Sequence, residues 1–128
     1  MNKFLMATAA LALGATTAVA DVKIGMITTL SGGGAGLGID VRDGFMLAVA
    51  QSGRSDIDVV IEDDQRKPDI AVQLSDKMIQ SERVDIMTGI IWSNLAMAVV
   101  PAVTNQNVFY LSPNAGPSPL AGRGCHEN

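Results

Sequence analysis

An apolar strand that runs directly into a glycine-rich loop is the feature that most constrains the fold of this chain. The segment from Val22 to Ile27 reads VKIGMI, a short apolar run of the kind found in strands buried on both faces of a sheet. Four of the five residues from 32 to 36 are glycine, and a helical pattern begins near Asp40. Strand, glycine loop and helix in this order predict the start of an open α/β sheet, where ligands bind at the carboxyl ends of strands.

The first twenty residues have the pattern of a secretory signal peptide. Lys3 precedes an uncharged apolar run at residues 4–15, and the tripeptide AVA at 18–20 has the small-x-small form of a cleavage site. The alternative is a membrane anchor, but the run is short for a hydrocarbon core of about 30 Å. We therefore expect cleavage after Ala20, export without stable membrane insertion, and a periplasmic product in a Gram-negative host.

Charge and cysteine content narrow the classes of partner. The chain carries 13 acidic and 9 basic residues, a formal charge of −4, and loss of Lys3 with the signal peptide would make it −5. An acidic chain without a basic block is not expected to bind nucleic acid. Cys125 is the single cysteine. Because cysteines of exported proteins usually pair, we expect its partner to lie outside this sequence.

Three further strand-and-helix units are predicted after the first loop. Apolar strands that alternate with amphipathic helices predict a parallel, doubly wound (Rossmann-like) α/β sheet with right-handed crossovers, and we expect the strand order 2-1-3-4. Such sheets usually have at least five strands, so residues 21–128 are expected to be a fragment of a domain. The predicted strands are 57–61, 84–91 and 108–111. The predicted helices are one from Asp40, its N-cap, to Ser52, one from Pro68, and one capped by Ser93 or Asn94 that contains Pro101. The residues expected to face inward are Val41, Phe45, Ala48 and Val49 in the first helix and Leu95, Val99 and Val103 in the third.

In a parallel sheet all strand ends point the same way, so four segments should form one rim: residues 28–36, 62–66, 91–94 and 111–116. The triplet Trp92-Ser93-Asn94 is the most informative, because a helix start offers free N–H groups and a favourable dipole to an anion. The alternative is that Ser93 or Asn94 only caps the helix and that Trp92 packs against a neighbour.

Two other motifs at this rim, the glycine loop and the acidic residues at 62–64, are less specific indicators of function. The loop GGGAGLG lacks the Gly-Lys-Ser/Thr of a P-loop and breaks the G-x-G-x-x-G pattern. It fits either a close approach of backbone to a small polar molecule or a flexible loop. Glu62, Asp63 and Asp64 could suggest a metal or a ribose-binding acid. Without nearby His or Cys we interpret them as a solvated strand end, and we expect neither a metal nor another cofactor.

Catalytic groups are not evident in the sequence. Cys125 and His126 are adjacent, so they are poorly placed to act as nucleophile and base upon one another. Neither Ser31 nor Ser112 lies in a G-x-S-x-G elbow. We therefore do not expect an enzyme.

Five segments of the mature chain carry a family resemblance. In order they are VKIGMITTLSGGGAGLG, DVRDGFMLAVA, IEDDQRKPD, DIMTGIIWSNLAMAVVPAV and NVFYLSPNAGPSPLAG. Together they resemble the start of ABC-transporter substrate-binding proteins of the branched-chain amino acid-binding type, the periplasmic binding proteins with type I topology. The resemblance implies a two-lobed receptor that clamps a small-molecule solute and delivers it to a membrane permease. Residues 21–128 would form part of the first lobe, and the second lobe is absent from this sequence.

The resemblance also implies where ligand would bind. Members of this family contact ligand from the loop after the first strand, hold a ligand carboxylate at the helix start after the third strand, and add contacts after the fourth. Many amino acid binders have two hydroxyl residues at the third-strand site, where this chain has Trp92-Ser93-Asn94, so aromatic or aliphatic carboxylates and amides stay open besides amino acids. The candidate ligand-binding residues are Ser31, Gly32, Trp92, Ser93, Asn94, Ser112, Asn114 and Ala115.

Two functions of other classes remain as alternatives. A dinucleotide-dependent enzyme would use the same opening architecture with Glu62 or Asp63 on the ribose, although its fingerprint is broken and its export would be unusual. A secreted interaction module without a small ligand would present a flat rim that lacks a pocket.

Overall fold

Residues 21–121 are described by the structure, a computed structural model. The predicted signal peptide at residues 1–20, together with Cys125 and His126, lies outside the described residues. The elements are β1 (Val22–Thr28), α1 (Ala35–Gln51), β2 (Ile57–Asp63), α2 (Pro68–Lys77), a π-helical turn (Met78–Glu82), β3 (Ile86–Thr88), α3 (Ser93–Asn105), β4 (Phe109–Leu111) and the short α4 (Ser118–Ala121).

The four strands form one parallel sheet in the order β2-β1-β3-β4, which confirms the predicted topology. Strand β1 is central, and Met26 pairs in register with Ile61 on one side and with Thr88 on the other. The side chains of Met26 and Ile27 are fully buried. Because neighbouring residues of a strand face opposite sides of the sheet, β1 is covered on both faces, as its apolar run predicts.

Helices α2 and α3 pack together on one face of the sheet and enclose its core. The crossover from β1 to β2 runs in the opposite direction to the next two, so right-handed crossovers place α1 on the other face. Leu95, Val99 and Val103 of α3 are fully buried, as predicted. They pack in one apolar cluster with Ile27 and Met78, and α3 continues through Pro101 as expected.

Helix α1 begins five residues earlier than predicted. It starts at Ala35 after Gly34, whose φ of 96° is left-handed, so the prediction of Asp40 as N-cap is wrong. Glycine adopts this conformation without strain, which allows the chain to turn directly into the helix. Gly38 is the only buried residue of α1, and a Cβ there would lie 1.9 Å from the Thr29 carbonyl oxygen. The first helix therefore packs directly on the backbone that follows β1.

The predicted inward face of α1 is only partly correct. Val41, Phe45 and Val49 are half-buried, but Ala48 is exposed. Leu47 on the same helix is 58% exposed. The reason is that, among the described residues, α1 has the sheet on one side and no second helix beside it.

Other element boundaries also differ from prediction. Strand β2 is two residues longer, and β3 is limited to Ile86–Thr88 because Gly89 takes a φ of 105°. Val84 and Ile91 are nevertheless buried on either side of the short strand. The predicted loop after β4 contains α4. Within residues 21–121, no helix has both the length and the apolar character needed to cross a membrane.

Candidate functional site

The loop after β1 is held against the end of β2 by Asp63. The N–H of Leu30 donates to Asp63 Oδ1 at 2.8 Å, and the N–H of Gln65 donates to the same oxygen at 2.9 Å. Partial burial opposes ionisation, but the donors of Ser31, Leu30 and Gln65 outweigh it and lower the pKa of Asp63 below its ordinary value. Asp63 is thus an ionised acceptor that fixes the first loop.

Asp64 is buried, so its interpretation as part of a solvated strand end is wrong. Its side chain is 0% exposed, and Oδ1 accepts hydrogen bonds from the Thr29 hydroxyl at 2.5 Å and the Arg66 N–H at 2.7 Å. The chain turns sharply here, since Gln65 and Arg66 have φ of 50° and 60°. Asp64 Oδ2 has no hydrogen-bond partner among the described residues. Burial therefore raises the pKa of Asp64 despite the two donors.

Trp92, in rim segment 91–94, contacts the rim segments 28–36 and 62–66. Its indole Nε1–H donates to Thr29 Oγ1 at 2.8 Å, and the guanidinium carbon of Arg66 lies 3.9 Å from the centroid of its ring. Arg66 Nη1 also donates to the Gly33 carbonyl at 3.3 Å. A Cβ on Gly34 would lie 2.4 Å from Trp92 Cζ2, so the loop reaches the ring only because this residue is glycine. The structure therefore shows the packing of Trp92 that was the alternative to a ligand-binding role, and its predicted contact with ligand stays a prediction.

The start of α3 has no side-chain cap. The N-cap residue is Trp92, whose carbonyl accepts a hydrogen bond from the N–H of Ala96 at 3.0 Å. Ser93 and Asn94 are the first two helical residues and are exposed, so the prediction that one of them caps the helix is wrong. The side chains and the backbone N–H groups of Ser93 and Asn94 consequently remain as donors at the rim.

The loop after β4 is fastened to the same rim. Asn114 Nδ2 donates to the Ile91 carbonyl at 3.0 Å, and the Ser112 hydroxyl donates to the Ala115 carbonyl. Ala115 itself is buried in the core, whereas Ser112 and Asn114 are exposed. Ser31 and Gly32 are exposed on the first loop. The structure thus brings the predicted site residues to one end of the sheet, with Ala115 as an internal support.

A cavity of about 210 Å³ lies next to this loop, between α3, β4 and α4. Ala96, Val100 and Leu120 line it with apolar surface, and Tyr110 and Ser112 contribute the hydroxyl-bearing side chains. The Tyr110 hydroxyl is buried without a hydrogen-bond partner among the described residues. Burial raises the pKa of Tyr110, so this phenol is neutral at physiological pH.

Sequence reasoning missed Thr29, Asp64 and Arg66 as parts of the site. The adjacent acids Asp63 and Asp64 at the end of β2 could have indicated a buried carboxylate. Neighbouring side chains of a strand point to opposite sides, so two adjacent acids there are not expected to share one environment. Groups of three or more acidic, His or Cys side chains that could hold a metal do not occur in residues 21–121.

Comparison with known proteins assigns the family. Residues 21–128 match the periplasmic binding protein family. A search of curated proteins gives no match. An ABC transporter substrate-binding protein from Sphaerobacter thermophilus is 30% identical with a TM-score of 0.75, over 78% of this chain and 28% of that one.

Two ligand complexes are also similar. A solute binding protein of an ABC transporter from R. palustris, in complex with benzoate, is 33% identical with a TM-score of 0.77, over 83% of this chain and 31% of that one. The second is a branched-chain amino acid transporter substrate binding protein from Streptococcus pneumoniae in complex with isoleucine. It is 26% identical with a TM-score of 0.73, over 81% of this chain and 31% of that one. The chain thus spans about three-tenths of the length of these structures, and it belongs to the periplasmic binding protein family.

Proposed function

We propose that residues 21–128 form part of the first lobe of an exported receptor that binds a small organic carboxylate and delivers it to the permease of an ABC importer. The observation that carries the proposal is the uncapped start of α3, where Ser93 and Asn94 are exposed at the rim. The periplasm is the compartment that this function and the predicted signal peptide require. A second lobe, supplied by chain outside this sequence, would close over the solute.

The chemistry of the helix start favours an anion. The free N–H groups of the first turn point along the axis of α3, and the dipole of this helix favours negative charge at that end. The Ser93 hydroxyl and the Asn94 amide can add two side-chain donors. A hydrogen bond to a charged group contributes about 1.5–3 kcal/mol, so a few such donors suffice for specific binding of one carboxylate.

The ligands of similar proteins are consistent with this class. Solved complexes of similar proteins contain benzoate, 3,4-dihydroxybenzoic acid, 4-hydroxybenzoate and isoleucine. All four compounds contain a carboxyl group, whereas the rest of the molecule varies from an aromatic ring to a branched aliphatic chain. For this chain we propose the carboxylate as the shared element. Ser31, Gly32, Ser112 and Asn114 would contact other parts of the solute, and Trp92 and Ala115 would support the site.

A dinucleotide-dependent enzyme is less well supported. Such an enzyme would need a free acid at the end of β2 to bind the ribose. Glu62 instead forms an ion pair with Lys77, and Asp63 Oδ1 accepts two backbone N–H groups. We therefore propose binding without catalysis and without a cofactor.

Calorimetry of the natural full-length protein tests the proposal. We expect saturable binding of benzoate, isoleucine or a related small carboxylate, and no binding of NAD. Binding of NAD, or no binding across a panel of aromatic and aliphatic carboxylates, would reject this function.

A further inference from the structure

We propose that Arg66 determines the preference of this rim for anionic solutes, and that Trp92 is the residue that positions it. The inference rests on the proposed function, because it concerns the same site. It adds a cation on the second-strand loop to the donors at the start of α3.

Arg66 has no carboxylate partner within the described fold, where its guanidinium contacts only the Trp92 ring and one carbonyl oxygen. Four cations of residues 21–121 form ion pairs with nearby carboxylates, whereas Arg66, like Lys67 and Arg83, forms none. A guanidinium has five N–H donors, and the one side-chain hydrogen bond of Arg66 goes to the Gly33 carbonyl at 3.3 Å. Asp64 binds the backbone N–H of Arg66 and not its side chain. Most of the guanidinium is therefore available to a carboxylate, which it can bind in bidentate geometry.

Trp92 holds the guanidinium close to the helix start. The guanidinium carbon is 3.9 Å from the ring centroid, a distance at which the ring face attracts a cation. The ring in turn is fixed by its hydrogen bond to Thr29 at 2.8 Å and by contact with Gly34. Trp92 is the residue immediately before Ser93, so the ring that Arg66 contacts belongs to the residue that adjoins the donors of α3.

The backbone conformation at Gln65 and Arg66 determines where the Arg66 side chain lies. Gln65 and Arg66 both take left-handed φ, which side chains other than glycine adopt rarely. The carboxylates of Asp63 and Asp64 accept the N–H groups of these two residues and stabilise the turn. A conformation that is unfavourable in isolation is thus maintained by two acids, and its result is that Arg66 lies on Trp92.

Matched pairs of acids and amides test the inference on the natural full-length protein. Calorimetry compares benzoate with benzamide, and isoleucine with isoleucinamide, for the wild type and for Arg66→Gln. We expect the affinity for the acid that binds to fall about ten-fold to a hundred-fold, the loss of one charged hydrogen-bonding group, while the affinity for its amide changes less than about three-fold. Lys67→Gln is the control, since it removes the same charge from the next residue, which is also exposed.

Trp92→Leu separates positioning from charge. This variant keeps Arg66 but removes the ring beneath it, and we expect the ratio of acid to amide affinity to fall in the same direction as in Arg66→Gln. Equal losses for acid and amide in Arg66→Gln, or an equal effect of Lys67→Gln, would overturn the inference and leave the proposed function intact. A wild type that binds no carboxylate overturns the proposed function, and this inference with it.

Discussion

Trp92 donates its indole N–H to the hydroxyl of Thr29 at 2.8 Å, across 63 positions of sequence. The same Thr29 hydroxyl donates to Asp64 at 2.5 Å, so the two hydrogen bonds form a chain. A single row of polar groups therefore connects the start of α3, the end of β1 and the loop after β2. Because Trp92, Thr29 and Asp64 are hydrogen-bonded in series, we expect a substitution at one of them to change the positions of the others.

Thr29→Val removes the middle of this row without changing side-chain shape. Trp92 Nε1 loses its acceptor and the buried Asp64 loses one of two donors, so we expect the free energy of unfolding to fall by about 1–3 kcal/mol in urea denaturation. Thr104→Val is the matched control, because that hydroxyl bonds only to carbonyls of its own helix and its loss should cost clearly less. Equal effects of the two substitutions would show that the row contributes nothing specific.

Asp64→Asn should change how stability depends on pH. The folded pKa of Asp64 is raised from its ordinary value of 3.8, so the folded protein binds this proton more tightly than the unfolded chain. The wild type therefore loses stability as pH rises from that value through the raised pKa, and the loss persists above it. Asn keeps an acceptor for Thr29 and Arg66 but carries no charge. Denaturation at several pH values should show the variant gaining stability relative to wild type across this window, and a pH-independent difference would contradict the assignment.

Gly34→Ala tests the contact between the glycine loop and the ring of Trp92. The new Cβ would lie 2.4 Å from Trp92 Cζ2, and φ at this position is 96°, so we expect a loss of about 1–3 kcal/mol in stability together with weaker solute binding. Gly32→Ala is the control for the stability measurement, since it has a φ of 70° but nothing within 4 Å of the new Cβ. The control measures backbone strain alone, and a loss as large as that of Gly34→Ala would mean that the ring contact is unimportant.

The sheet was predictable from the sequence and the polar interior of the rim was not. Apolar strands such as Val22–Thr28 have a pattern that depends only on burial, so the strand order and the parallel fold follow from the alternation of elements. The start of α1 depends on a left-handed Gly34 packed against Trp92, a contact between distant segments that no local pattern encodes. Asp63 and Asp64 are identical in type, and only the turn at Gln65 and Arg66 makes one a loop acceptor and the other buried.

The mature protein should begin at Asp21. Cleavage after Ala20 follows from the AVA tripeptide at residues 18–20, which has the small residues that signal peptidase requires. Mass spectrometry of the exported protein measures its N-terminus directly. Exported material that retains residues 1–20 would contradict the signal-peptide prediction.

The donors at the start of α3 should determine the affinity for a carboxylate. Ser93→Ala or Asn94→Ala in the full-length protein removes one side-chain donor to a charged group, and we expect calorimetry with the bound carboxylate to show affinity weakened by about ten-fold to a hundred-fold. Binding should persist, because the backbone N–H groups and the dipole of α3 are unchanged.

Glu62→Gln is the control for these two variants. Glu62 lies at the end of β2, and its side chain is paired with Lys77 of α2, so it should affect affinity far less. The ion pair itself is partly exposed, so its loss should change stability little. If Glu62→Gln weakens binding as much as Ser93→Ala does, or if neither α3 variant weakens it, the carboxylate does not bind at the start of α3.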